Sequence, residues 1–517
     1  MTSGAPSVDP DRRRVSDGLI SGTAWTAIHV LVSVPVAFLV NIVVARRLGA
    51  VDYGQLALLT MVLSLATAAA SLGVGAALVQ FVTKAAEGGR RSDVARTISG
   101  VQGYNLFVVA PLVAVILALV LDVRGPLLAV AIVFGVLAPA ALQVGPTLLT
   151  TEHRSDRAAK LAIVSNIGIQ SAVLVTVLLH PEATSVWIAR IAATGVLMVL
   201  PFLALSAALR RPALRPGAPW LLPKGFWAFA VPTGVGTLIS QVVTDRVQVI
   251  FLQWFGDPVA VGLFALGFGL AAQVLAPVQA AVGPLLPAFA ALQTRGADEV
   301  REGLLRVTRV SAVATGSVLA LGVPLLAGLV PWIYGEQYAP SGDYFLVMAC
   351  AVAITVVGAG SYASLMSRLR GRTYLVVNIA SLIVMAGVAL ALVPPFGAWG
   401  AVASMVCGTT SRAVAMTVTE ARARGIPARR MAAAHAPVVV AVLAVAATWL
   451  VSAVPSAPDG ARGWLASATS FVLYLLVLRL VGWGLTGAER TRLVGALPHR
   501  ARRLATVGLR LVSTSDR

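Results

Sequence analysis

Charge is scarce in this 517-residue chain. Asp, Glu, Lys and Arg make up 12% of it, whereas hydrophobic residues make up 58% and the mean hydropathy is +0.86. An average soluble protein carries about 25% charge. Too little charged surface is available to cover a water-soluble fold of this size, and the chain is too apolar to be disordered. Histidine and cysteine are also rare, at five and two residues. No His/Cys cluster has metal-ligand spacing. Cys350 and Cys407 lie in separate apolar runs and read as small buried hydrophobes. No segment alternates polar and apolar residues with period two, which argues against a membrane barrel. The phosphate-cradling GxxxxGK[ST] loop that an ATP-driven pump needs, in its own chain or a partner's, is missing here. What is left is an all-α polytopic membrane protein.

A helix needs about 20 apolar residues to cross the hydrocarbon core. The sequence predicts fourteen such spans: 19–44, 56–80, 101–121, 126–150, 161–180, 184–208, 226–254, 259–290, 307–330, 341–367, 373–393, 398–420, 433–454 and 464–486. The first is too long for a cleaved signal peptide and lacks a small-residue cleavage site. Of the forty Lys and Arg, thirty-two fall in the tails and alternate connectors, and only Arg46, Arg47, Arg124 and Arg462 fall on the opposite side. This bias places both termini in the cytoplasm of a multi-pass cell-membrane protein. Its spread over many short segments also accounts for the net charge of +19 without nucleic acid.

The helix-joining turns at Gly49 (ARRLGAVDYG, 45–54) and Gly256 (LQWFGDPVAVG, 252–262) are similar and lie six helices apart. An even separation predicts a parallel repeat about an axis along the membrane normal. The expected organisation is a cytoplasmic tail (1–17), an N-lobe of helices 1–6 (18–210), a Pro-rich cytoplasmic linker (211–224), a C-lobe of helices 7–12 (225–422), helices 13–14 (423–487) and a basic cytoplasmic tail (488–517).

Four segments carry a family resemblance: ARRLGAVDYGQLALL (45–59) with SLGVGAALVQF (71–81), TDRVQVIFLQWFGDPVAVGLFALG (244–267), IYGEQYAPSGDYFLVMA (333–349) and PPFGAWGAVASMV (394–406). In that order they resemble the bacterial lipid-linked oligosaccharide flippases of the multidrug/oligosaccharidyl-lipid/polysaccharide exporter superfamily. The resemblance implies two six-helix lobes plus two C-terminal helices around a central, often cationic cavity. It also implies alternating access that carries an undecaprenyl-diphosphate-linked glycan from the inner to the outer leaflet for cell-surface polysaccharide synthesis. A multidrug extruder or lipid II flippase of the same superfamily is the alternative. From another class comes a non-transporting component of a glycan assembly complex. The expected partners are the lipid-linked glycan, membrane lipids and polysaccharide-assembly proteins. A glycosyltransferase is disfavoured, since catalytic carboxylates and a large external loop are lacking. The chain is expected to be no enzyme and to need no cofactor.

Ionisable side chains inside the hydrocarbon are costly and usually face the protein or water. The substrate-binding candidates are Arg412, Arg246, Asp245, Arg190 and His29. Arg190 in helix 6 and Arg412 in helix 12 hold comparable places in the two repeats. A guanidinium fork suits a diphosphate; snorkelling to a headgroup is the other reading, with Arg412 the deeper of the two. Asp245 and Arg246 are neighbours about 100° apart on helix 7, so each needs its own partner; a structural ion pair is equally open. His29 in helix 1 offers a titratable ring or an ordinary packing contact. Pro35, Pro139, Pro146, Pro277, Pro284 and Pro287 permit helix bends during transport.

Overall fold

The computed structural model describes residues 10–120, 125–152, 154–241, 247–255, 258–280, 285, 289, 292–293, 296–368, 371–452, 459–485, 487, 489–491, 506 and 512–513. Among them the chain is helical, with one isolated bridge between Leu485 and Ser513. Helix is what apolar runs of this length must adopt in lipid, where every backbone N–H and C=O has to be satisfied within the segment. Twelve described helices are long and apolar enough to cross a membrane, and two shorter apolar helices accompany them, Val74–Ala86 and Phe226–Ile239.

Twelve rather than fourteen spans are found for two local reasons. Expected helices 1 and 2 run into one stretch, Pro10–Ser71, in which Gly49 (φ 75°, ψ 174°) marks the kink between two helices. A side chain at that φ is strained, and Gly49 lies in the turn expected there. The Tyr53 hydroxyl spans the break by donating to Asn41 Oδ1 at 3.0 Å. Expected helix 7 appears as Phe226–Gln241 and Val247–Trp254, and residues 242–246 lie outside the described set.

The chain forms two compact units, Met1–Leu238 and Ile239–Arg517. In the first unit, residues 226–234 pack against the turn at Leu72 and Gly73. A Cβ on Gly234 would fall onto the backbone of Leu72, and one on Gly73 (φ +71°) onto the Ala230 carbonyl. Around this backbone contact Phe226 meets Phe81 at 5.3 Å between ring centroids, and Trp227 meets Tyr104 at 4.9 Å. Two π-helical turns, Asn105–Val109 and Val133–Leu137, interrupt the helices behind them.

In the second unit the Gly371–Phe396 and Ala398–Ala423 helices pack side by side, joined at Gly397. Ser404 Oγ donates to the Met385 carbonyl at 2.9 Å between them. The tyrosines of IYGEQYAPSGDYF form structural packing: Tyr334 and Tyr338 are fully buried, and Tyr344 meets Trp399 edge-on at 4.9 Å. Ser341 Oγ ties this segment to the Leu263 carbonyl at 3.0 Å. The most distinctive sequence pattern is thus scaffold. Cys350 is partly buried, whereas Cys407 is exposed on its helix rather than packed away.

Candidate functional site

Among the described residues, the second unit places a buried arginine in a small cavity. Arg412 sits 14 residues into the Ala398–Ala423 helix, so at 1.5 Å per residue it lies about 21 Å from that helix's start. Its residue surface is only 8% exposed, and it lines a cavity of about 250 Å³ with Thr355, Tyr362, Tyr374, Ala413 and Met416. The Tyr362 and Tyr374 rings are 5.6 Å apart, and Arg412 lines the same cavity. A guanidinium beside two phenols offers several hydrogen-bond donors to an anionic oxygen. Gly358 and Ala359 keep the helix wall opposite small.

Further along the Ala398–Ala423 helix and the Ala359–Ser367 helix that carries Tyr362 lies a buried charge cluster. Glu420 is fully buried and accepts from Ser364 Oγ at 2.6 Å, Arg424 Nε at 2.8 Å and Arg368 at 3.4 Å. Arg301 in turn donates to the Arg424 carbonyl at 3.1 and 3.2 Å. One carboxylate between two guanidiniums leaves a net positive charge. The hydrogen bonds supply the compensation that a buried ion pair needs. The cluster pins the helix end at Ser367 to the helix end at Ala423.

In the first unit, His29 lines a cavity of about 280 Å³ with Pro146, Ser165, Asn166, Thr194 and Pro201. Asn166 Oδ1 is buried there with no hydrogen-bond partner. Arg190 does not line it. It is accessible to solvent, on the Ala183–Leu197 helix. A weaker carboxylate–arginine cluster lies in this unit. Glu152 accepts from Arg154 and from the Ser206 N–H, both at 3.3 Å, and Arg154 also donates to the Ala204 carbonyl at 3.1 Å.

Of the five expected site residues, then, Arg412 lies in a cavity of the second unit, His29 in one of the first, and Arg190 at a solvent-accessible position of the first. Asp245 and Arg246 lie outside the described residues. Tyr362, Tyr374 and Glu420 are the side chains that the sequence reading passed over. The Glu420–Arg424 spacing, an i,i+4 acid–base pair at the end of an apolar run, was the available signal. The tyrosines had none, because only packing brings residues 362, 374 and 412 together.

The pattern of the Polysaccharide biosynthesis protein family matches residues 43–343, more than half of the chain. The chain belongs to this family. Membership agrees with the exporter-superfamily resemblance drawn from the four sequence segments. No curated protein matches the chain significantly. Solved transporter structures share its fold at low identity. A multidrug resistance MATE family transporter of the MOP superfamily, inward-facing, aligns with TM-score 0.60 and 14% identity over 77% of this chain and 98% of its own. A MOP superfamily transporter from Pyrococcus furiosus aligns with TM-score 0.57 and 14% identity over 78% and 95%. The eukaryotic MATE transporter AtDTX14 aligns with TM-score 0.52 and 14% identity over 82% and 99%. This member of the polysaccharide biosynthesis family therefore has a MATE-like, all-helical membrane fold.

Proposed function

We propose that this membrane protein carries an undecaprenyl-diphosphate-linked oligosaccharide from the inner to the outer leaflet by alternating access. On this reading the full fold has fourteen helices, the repeat is parallel, and both termini are cytoplasmic. The observation that carries it is Arg412: a mid-helix guanidinium in a cavity with two tyrosines, in a polysaccharide biosynthesis family member. A bare diphosphate and glycan cannot pass through hydrocarbon. A wet, cationic chamber lowers that barrier while the polyprenyl tail stays in lipid. Export of the anion from a negative interior gains about 2.3 kcal/mol per charge per 100 mV. The transfer makes and breaks no covalent bond.

Multidrug extrusion is the second reading, favoured by the MATE transporters among the structural neighbours. A cation extruder needs an available buried acid. Both buried acids among the described residues, Glu420 and Glu489, are already paired with arginine.

Proteoliposomes holding a fluorescent undecaprenyl-diphosphate-linked oligosaccharide, with leaflet-resolved quenching, test the proposal. Arg412→Gln is expected to slow flipping at least about tenfold, the loss of one charge-assisted contact. Arg412→Lys should retain part of the rate, having charge without the fork. Parental rates in Arg412→Gln, or transport of organic cations instead of the glycolipid, would overturn the assignment.

A further inference from the structure

We propose that the segment between Leu203 and Phe226 is a preformed binding surface for anionic phospholipid headgroups of the inner leaflet. The leaflet assignment rests on the orientation proposed above; the headgroup preference does not.

The argument begins with placement. The segment runs from the end of the Ala183–Leu203 span to the start of the apolar Phe226–Ile239 helix, so both ends are held at the edge of the hydrocarbon. It contains the short Ala207–Ala213 helix and a 3₁₀ turn, Pro219–Leu221. It is also fixed in place. Ser99 Oγ donates to the Arg215 carbonyl at 2.6 Å, and the Gly217 N–H donates to the Ser99 carbonyl at 2.8 Å. A Cβ on Gly103 would strike the Gly217 carbonyl, so the segment lies backbone-to-backbone on the Arg91–Tyr104 helix. Ala213 and Leu222 are buried against the unit.

What the anchored segment leaves outside is an interfacial composition. Leu214, Trp220 and Leu221 are 64%, 82% and 60% exposed. Aromatic residues favour the headgroup level. Arg210, Arg211, Arg215 and Lys224 share the segment, and no Asp or Glu occurs anywhere from Ala183 to Thr244. Arg210 folds back to the Leu203 carbonyl at 3.3 Å. Arg211, Arg215 and Lys224 are exposed, and none is in an ion pair among the described residues. Exposed apolar side chains flanked by uncompensated cations match a surface that is apolar below and anionic above. An acidic protein would satisfy the cations but would gain nothing from anchors held at the hydrocarbon edge, so the occupant we assign is lipid.

The test places an NBD fluorophore on Leu221→Cys in a Cys350→Ala, Cys407→Ala background, in vesicles of dioleoyl-phosphatidylcholine and -phosphatidylglycerol at 3:1. Quenching by brominated phosphatidylglycerol should exceed quenching by brominated phosphatidylcholine about fivefold, the effect of one base near an anionic surface. The preference should fall in 0.5 M salt, which needs no substitution, and vanish in Arg211→Gln/Arg215→Gln/Lys224→Gln. Equal quenching by the two lipids would overturn the headgroup preference. Emission as in water with no quenching by either would overturn lipid contact altogether and point to a protein partner. An impermeant quencher added from each side reports the leaflet separately, so a reversed orientation is read apart from a failed lipid preference.

Discussion

Replacing Glu420 by Gln removes the counter-charge from two arginines without changing side-chain shape. The carboxylate is fully buried, and the side chains of Arg424 and Arg368 are only 11% and 20% exposed. Breaking a buried ion pair by removing one partner costs about 3–5 kcal/mol, because the other charge is stranded. Here the cost is about 3 kcal/mol, since the partial exposure of Arg368 lets it regain some water. For soluble domains of 150–250 residues about 1 kcal/mol shifts the midpoint by about 2–4 °C, and less in a longer chain, so the melting midpoint in detergent should fall by at most about 6–12 °C. The neighbouring apolar cluster, which includes Leu304, Ala363, Ala421 and Met431, should loosen with it, because Ala421 is adjacent in sequence to the lost carboxylate. A double-mutant cycle isolates the electrostatic part. Arg424→Gln should cost clearly less in the Glu420→Gln background than in the parent, with a coupling of at least about 1 kcal/mol. A midpoint shift below about 2 °C, or simple additivity, would refute the claim that this cluster holds the two helix ends together.

The carboxylate–arginine pair in the first unit is expected to behave differently. Glu152→Gln should cost about 1 kcal/mol or less, and the difference should shrink in high salt, because Arg154 and Glu152 keep 29% and 13% side-chain exposure. Thermal midpoints at 0.1 and 1 M salt check this. Gly234→Ala should lower the folded, monodisperse yield, since its Cβ meets the Leu72 backbone and overpacking costs about 1–3 kcal/mol or more. Gly75→Ala, at a helical site with open space around it, is the control and should be neutral or slightly stabilising. Pro35→Ala should slow flipping in the proteoliposome assay if the bend permitted by Pro35 within its long helix is needed for transport. An unchanged rate with intact folding would dismiss that role.

Composition alone settled the class of this protein. Sparse charge and repeated apolar runs leave the backbone no option but transmembrane helix, because lipid supplies no hydrogen bonds. The turn at Gly49 was legible too, since its left-handed backbone favours glycine. The break between the first two spans was legible as well, because Arg46, Arg47 and Asp52 flank Gly49, where the Pro10–Ser71 stretch kinks. Site residues were hardest to read. Nothing in the order of residues says that Tyr362, Tyr374 and Arg412 line one cavity, or that Glu420 meets both Arg368 and Arg424. Three helices had to pack before these side chains became neighbours, and a charge in a helix has no meaning for function until its facing helix is known. Sequence determined the solvent this chain lives in; tertiary packing decided which of its few charges are shared, which are neutralised, and which remain turned toward a cavity.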